Sequence, residues 1–419
     1  MSGLTHTILD WIAEDEDELV RFYADFVRAR SPNPPGDTRE AIGFVSEKLS
    51  EWGLPHDIVA PQEHMPNIVA DFDTGRSGRH LVLNGHADVF PLGNPQSWER
   101  DPWSGEVIDG RVWGSGATDM KAGTTAAIYC YRYLHHLRDQ LDGRLALTVV
   151  SDEETGGRWG AGYLLETMPE RVKGDCVLNG EPGGPDTIRF GEKGIVRFKV
   201  RVRTRGAHSP YPHLSPSAIE LACDIIRGLK EMAGIVGDIP DDILAHLDKA
   251  ETRAVIDRIM GAGTADVIKQ FTVNIGVISG GSAANMIADC CEFTVDIREP
   301  VGTPKGETLD RATAIVARTP GAEVFDVTGT PANWCATQHE MIDILDRTVR
   351  GLGRPAPVLL PSLGGSDCRF WRGAGVPAYI YGPSPRNIAA PNESGSIEDF
   401  LHVVRVHTIA AASYLAAKS

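Results

Sequence analysis

The chain has 419 residues, 42% of them apolar, which is too long for one compact domain and ample for real cores. Its formal net charge of −16 excludes a basic phosphate-binding surface, so neither a nucleic acid nor an anionic membrane is an expected partner. Seven scattered cysteines without a C-x-x-C, and a first segment with no basic stretch followed by an apolar one, point to reduced thiols in a cytoplasmic protein.

In chain order, an acidic amphipathic helical pattern runs to about Arg30 and is broken by SPNPPGD (31–37); a second helix follows from Thr38 to Trp52. Strands then alternate with helices. NIVADFD (67–73), HLVLNGHADV (80–89), RLALTVVSDEE (144–154) and DCVLNGEP (175–182) read as strands, and residues 119–138 as a helix. This alternation predicts an α/β sheet with helices on both faces, whose polar strand ends are the place for an active site.

The texture changes near Gly194. IVRFKVRVRTRG (195–206) alternates apolar and basic residues, as a half-exposed strand does. A helix (216–232), a polar helical stretch, strands at 271–279 and 291–298, a helix (305–318) and a strand (322–328) complete a β-α-β-β-α-β order. Helical and apolar strand segments resume at 339–353, 376–382 and 396–417. The expected fold class is therefore α/β: a mixed-sheet catalytic domain (1–193 and 331–419) interrupted by an inserted α+β, ferredoxin-like domain (194–330).

Four clusters fall at strand ends in the first half: His86-Ala87-Asp88, Thr118-Asp119-Met120-Lys121, Ser151-Asp152-Glu153-Glu154 and Asn179-Gly180-Glu181-Pro182. Imidazole and carboxylate together suit zinc, manganese or cobalt. Asp88, two residues past His86, lies on the same side of the strand and could accept a hydrogen bond from the imidazole. Any one cluster has a plainer reading: a satisfied polar pair, a helix N-cap at Asp119, a solvated Glu-Glu loop, a turn at Glu181. The four in this order are far more specific.

GHADVFP (85–91), DPWSG (101–105), GRVWGSGATDMKAG (110–123), SDEETGG (151–157) and NGEP (179–182) resemble the family of aminoacylases, glutamate carboxypeptidases and succinyl-diaminopimelate desuccinylases. RGAHSP (205–210), Gly280-Gly281 with Asn285, DIREP (296–300), GGSD (364–367) and PNE (391–393) extend the match over nearly the whole chain. The resemblance implies an interrupted two-domain fold and a homodimer formed through the inserted domain, which would also act as a lid. It implies that His86, Asp119 and Glu181 hold one metal, that Asp119 bridges to a second metal held by Glu154 and a C-terminal histidine, and that Glu153 is the general base. Adjacent carboxylates raise one another's pKa, which suits a base beside a polarised water. His208 would stabilise an oxyanion; its plain alternative is an exposed loop histidine. Asn285, Arg298, Gly365 and Ser366 would bind substrate, although Arg298 could equally form a surface ion pair.

One position departs. Where the family has its last metal-ligating histidine, two residues before the proline of PNE, this sequence has Ala389, and neither His339 nor His402 fits the motif as a replacement. The expectation is one divalent metal, with the second position doubtful. A natural one-metal enzyme, a ligand-deleted variant and a non-catalytic binding protein are the competing explanations. The first is preferred, because a mere binder needs no general base at Glu153. Arg386, three residues before Ala389, could place its cation where the second metal would sit; otherwise it is a surface arginine.

A single metal suits an already activated substrate, so the leading expectation is hydrolysis of a non-peptide C–N bond in a small carboxylate-bearing molecule. The resemblance includes a 5-nitroanthranilate aminohydrolase type, in which an aromatic amine is replaced by water. The alternative is an ordinary metallopeptidase or N-acyl amino acid deacylase. Trp103, Trp159, Trp334 and Trp371 could stack on a ring, although core packing accounts for each.

Overall fold

A computed structural model describes residues 3–416. It divides into two compact units: one comprises the chain up to Phe190 with Cys335–Leu360 and Ser366 onward, the other Gly191–Trp334 with Pro361–Gly365. No helix of the described residues is long and apolar enough to cross a membrane.

The first unit is built on a mixed sheet. Its order is Asp57–Val59, Asn67–Asp73, Arg144–Val150, His80–His86, Cys176–Asn179, Ala378–Ile380 and Thr187–Glu192. The three central strands, Arg144–Val150, His80–His86 and Cys176–Asn179, run parallel, with Ala378–Ile380 parallel to the last of them. Both faces are covered, which is why these strands read as apolar runs rather than alternating ones. One face packs Val82, Ala146, Val177 and Ile380 against Trp371 and Cys368. The helices Ala122–His136 and Ile397–Tyr414 are mostly buried.

Side-chain size sets how closely the helices approach. A β-carbon on Gly123 would lie 2.0 Å from the carbonyl oxygen of Gly180, so only glycine lets the first turn of Ala122–His136 meet the end of Cys176–Asn179. The expected helix at 119–138 begins at Ala122; residues 117–121 form a kinked turn instead.

The second unit is a four-stranded antiparallel sheet in the order Thr272–Gly280, Cys290–Glu299, Gly194–Arg203, Ala322–Thr330. Phe198, Val200, Phe293, Val295 and Ile297 pack under the helices Ala218–Lys230 and Glu307–Val316, through Ile225, Leu229, Ala312 and Val316. The strict alternation of burial along Cys290–Glu299 is the period-two pattern of a sheet with one covered face. The β-α-β-β-α-β order thus forms as the sequence predicts, and the polar stretch within it is three short helices between Asp241 and Val267.

Candidate metal centre

His86 ends a central parallel strand, where the backbone runs out of sheet partners and polar groups can converge. Its carbonyl accepts from Thr124 Oγ1 at 2.7 Å, and its ring Nδ1 lies 2.8 Å from the carbonyl oxygen of Asp88. With Nδ1–H donating there, Nε2 carries the lone pair. Nε2 stands 3.3 Å from Asp119 Oδ1 and 3.3 Å from Glu181 Oε1. It is buried and has no hydrogen-bond partner.

Each carboxylate is fixed from behind. Glu181 follows a row of buried amides: Asn84 Nδ2 donates to Thr148 Oγ1 at 3.1 Å, Asn179 Nδ2 to Asn84 Oδ1 at 2.8 Å, and the Glu181 N–H to Asn179 Oδ1 at 2.8 Å. Asp119 sits in the kinked turn 117–121, and its turn is gripped by Glu393. The Glu393 carboxylate accepts the N–H groups of Gly116, Thr118 and Asp119 at 3.0, 2.7 and 3.0 Å. A small antiparallel sheet brings the two segments together, with Ser394–Ser396 pairing Arg111–Trp113.

One ligand atom from each of His86, Asp119 and Glu181 lies within 4.8 Å of the others, the only such group among the described residues. The electrostatics agree with a cation between them. Burial, then the nearby Asp119 charge, raises Glu181 well above the ordinary carboxylate range. Burial alone disfavours a charged His86, but Glu181 and Asp119 outweigh it and raise that pKa as well. Glu154 is pushed up to about 12 by burial and by Asp119, and its buried Oε1 has no partner. An imidazole nitrogen aimed at crowded, desolvated carboxylates is a donor set of the kind a divalent cation satisfies.

Glu153 and Glu154 occupy a short turn, 153–155, after the buried strand Arg144–Val150. Burial raises the Glu153 pKa, and Arg369 opposes that rise. Asp88 differs from expectation. Its carboxylate oxygen is 3.5 Å from the His86 ring, while the backbone carbonyl takes the imidazole hydrogen. The carboxylate instead accepts the N–H groups of Glu153 and Glu154 and the side chain of Asn33. It shapes the turn that carries the two glutamates.

Two arginines show the plainer of the two roles expected for them. Arg386 is exposed, and its charge adds to burial in lowering the Arg111 pKa. Arg298 donates to Asp296, two residues back on its own strand, at 2.7 Å, so its guanidinium is engaged in an ion pair. Ala389 is exposed, and its methyl offers no ligand atom. Ser366 is buried and its carbonyl accepts from Arg369 at 2.8 Å; Gly365 belongs to the second unit. His208 and Asn285 are both exposed in the second unit and are neighbours there. The strand Ala207–His208 pairs Met286–Ile287, and the Ser209 N–H donates to the Asn285 carbonyl at 2.9 Å. Trp371 is a core residue donating to the Val172 carbonyl, not a platform for a ring.

Residues 82–413 match the model of peptidase family M20/M25/M40. The chain belongs to that family. It is 29% identical over 358 residues to a succinyl-diaminopimelate desuccinylase of Paracoccus denitrificans, covering 83% of this chain and 85% of that one. Among solved structures it is similar to the M20 metallo-carboxypeptidase Sso-CP2 of Sulfolobus solfataricus, with a TM-score of 0.77 at 16% identity over 95% of this chain and 99% of that one. The yeast di-peptidase Dug1p gives a TM-score of 0.76 at 14% identity, with both chains covered completely. The protein is a metal-dependent amide hydrolase of the M20 family. These relatives favour amide hydrolysis, the alternative reading of the sequence, and give no support to deamination of an aromatic amine.

Proposed function

We propose that this enzyme removes an acyl group from the nitrogen of a small, carboxylate-bearing amide, using one divalent ion held by His86, Asp119 and Glu181. The observation that carries the reading is the unpartnered, buried Nε2 of His86 facing two carboxylates at 3.3 Å. Manganese, zinc and cobalt all suit this donor set. When bound, such an ion supplies Lewis acidity to the amide carbonyl and acidifies a nearby water. Glu153 takes a proton from the attacking water as its oxygen bonds to the carbonyl carbon. It then returns that proton to the nitrogen as the C–N bond breaks. The desuccinylases among the relatives support a substrate of the N-acyl amino acid class, and their name supports a succinyl group as one acyl candidate.

Glu154, the second carboxylate near Asp119, would share a further cation only with Asp119, because Ala389 supplies nothing. His208 and Asn285 are proposed to act on substrate from the second unit, which we take as a lid and dimerisation module. Its edge strand Thr272–Gly280 exposes Val277 and Ile278, an apolar edge that a second copy would cover. Seven free thiols suit a reducing, cytoplasmic setting.

The test is a panel of N-acetyl and N-succinyl amino acids, dipeptides and activated arylamines, assayed with manganese, zinc and cobalt alongside metal analysis. Turnover of N-acyl amino acids with one tightly held ion per chain is expected. Hydrolysis confined to arylamines, or two tightly held ions, would sink the reading.

A further inference from the structure

Arg369 lies in the helix Cys368–Gly373 and has its side chain only 9% exposed. Its Nη1 donates to Glu153 Oε1 at 2.6 Å and to the Ser366 carbonyl at 2.8 Å. The guanidinium also stands 5.1 Å from the centre of the Phe370 ring. It is therefore held by neighbours in its own segment as well as by the glutamate. Beside it is Asp367, fully buried, with neither carboxyl oxygen hydrogen-bonded. A β-carbon on Gly157 would meet Asp367 Oδ1 at 2.7 Å and Arg369 Nη2 at 3.0 Å, so this glycine, three residues past Glu154, leaves the space that both groups use.

The Asp88 carboxylate anchors Glu153 and Glu154 through their backbone N–H groups, and Asn33 holds the far end of the turn at Thr155 Oγ1, 2.9 Å away. A glutamate side chain has three rotatable bonds beyond that anchor, and backbone bonds leave them open. Among the described residues, the one side-chain hydrogen bond of Glu153 is the charge-assisted contact to Arg369.

We propose that Arg369 is a positioning residue for amide hydrolysis: it clamps Glu153 Oε1 so that Oε2 is left to take and return the proton. The proposal rests on the reading of Glu153 as the general base. Lysine at this position would keep the charge but lose the planar guanidinium that bonds Ser366 and Glu153 together. A purely structural role, neutralising Asp367, would make the effect of replacing Arg369 independent of the glutamate.

The experiment is a double-mutant cycle on the full-length, metal-loaded enzyme with an N-acyl amino acid substrate. Arg369→Gln should lower kcat about 100-fold, the scale at which a misplaced catalytic group acts, with KM within about 2-fold and metal content unchanged. In a Glu153→Gln background the same substitution should change the residual rate less than about 3-fold, because the two residues act as one unit. Equal losses in both backgrounds, or a loss carried by KM, would overturn the proposal. Melting curves report folding. If Arg369→Gln does not fold, Arg369→Lys serves, with kcat about 10-fold below wild type expected and a wild-type rate counting against the clamp. Glu153→Gln alone separates the two ideas: wild-type turnover there removes Glu153 as base and takes the clamp with it, whereas a dead Glu153→Gln with an unaffected Arg369→Gln removes the clamp only.

Discussion

Asp88 holds Glu154 by its backbone: one Asp88 carboxylate oxygen accepts the Glu154 N–H at 3.1 Å, and the other accepts the Glu153 N–H at 3.3 Å. The His86 ring keeps its own tether to the Asp88 carbonyl oxygen, which no side-chain substitution removes. Metal holding and glutamate placement are thereby separated at this residue. Asp88→Asn should lower kcat by about 100-fold while metal content stays close to wild type, since misplacing a catalytic group costs rate rather than ligation. Metal loss in step with kcat would show that the carboxylate supports the imidazole after all.

His86→Ala removes the only nitrogen of the ligand group and should leave the purified protein without stoichiometric metal. Elemental analysis after dialysis decides the point. Retention of one tightly bound ion per chain would move the centre elsewhere.

Ala389→His places an imidazole where the sequence resemblance implies a last metal ligand. Ala389 already holds a β-carbon at φ 55°, so the larger side chain adds no new backbone strain. Metal content should rise from one ion per chain towards two, Asp119 and Glu154 sharing the second. An unchanged ratio by titration calorimetry would mean that the position lies outside ligating reach.

Glu393→Gln keeps one acceptor oxygen but turns an N–H2 against backbone donors of the 116–119 turn. Loss of stability of about 1–3 kcal/mol is expected, the cost of unmet buried hydrogen bonds, together with weaker metal binding at Asp119. Urea unfolding with and without added metal measures both. A variant with wild-type affinity and stability would show the turn to be self-supporting.

His407 gives the protein an acid limit. Burial holds its pKa at about 4; Nε2 lies 2.7 Å from the Tyr381 carbonyl oxygen, and the buried Nδ1 has no partner. An unfolded histidine titrates near 6.5, so between the two values the unfolded chain binds the extra proton. Stability therefore falls as pH drops from about 6.5 towards 4, by up to about 3 kcal/mol from this residue. His407→Gln keeps a donor for Tyr381 and should flatten that slope in urea midpoints measured on metal-free protein. An unaltered slope would assign the acid sensitivity to other groups, such as His402, which burial also holds at about 4.

Much of the scaffold was legible because its strands are buried on both faces or on one, and each case writes its own hydrophobic pattern. Arg144–Val150 is a near-continuous apolar run, and Gly194–Arg203 alternates. His86, Asp119 and Glu181 were legible as residue types at strand ends. What supports them was not. Glu393 and the strand Ser394–Ser396 carry no periodicity, and their register with Arg111–Trp113 is a tertiary fact. Arg369 follows GGSD by two residues and has no local pattern, since its partner lies 216 positions earlier. Asp88 was assigned the right neighbour and the wrong atom: sequence spacing cannot distinguish a residue's carbonyl oxygen from its own side-chain carboxylate. Arg298 and Arg386 were chosen for their charge, which says nothing about whether a nearby aspartate, or open solvent, already satisfies it.

The grip of Glu393 on the Asp119 turn also sets an order of assembly. All three ligand residues leave the ribosome early, yet the Asp119 N–H meets its acceptor only 274 residues later. Closing so long a loop is slow and comes after local structure has formed. During synthesis the growing chain carries the histidine and both carboxylates without the backbone shape that aims Asp119. With the ligand set proposed above, capture of an ion would come at the end of folding rather than at its start, and a chain cut short before Glu393 would keep every proposed ligand and lose the means to aim one of them.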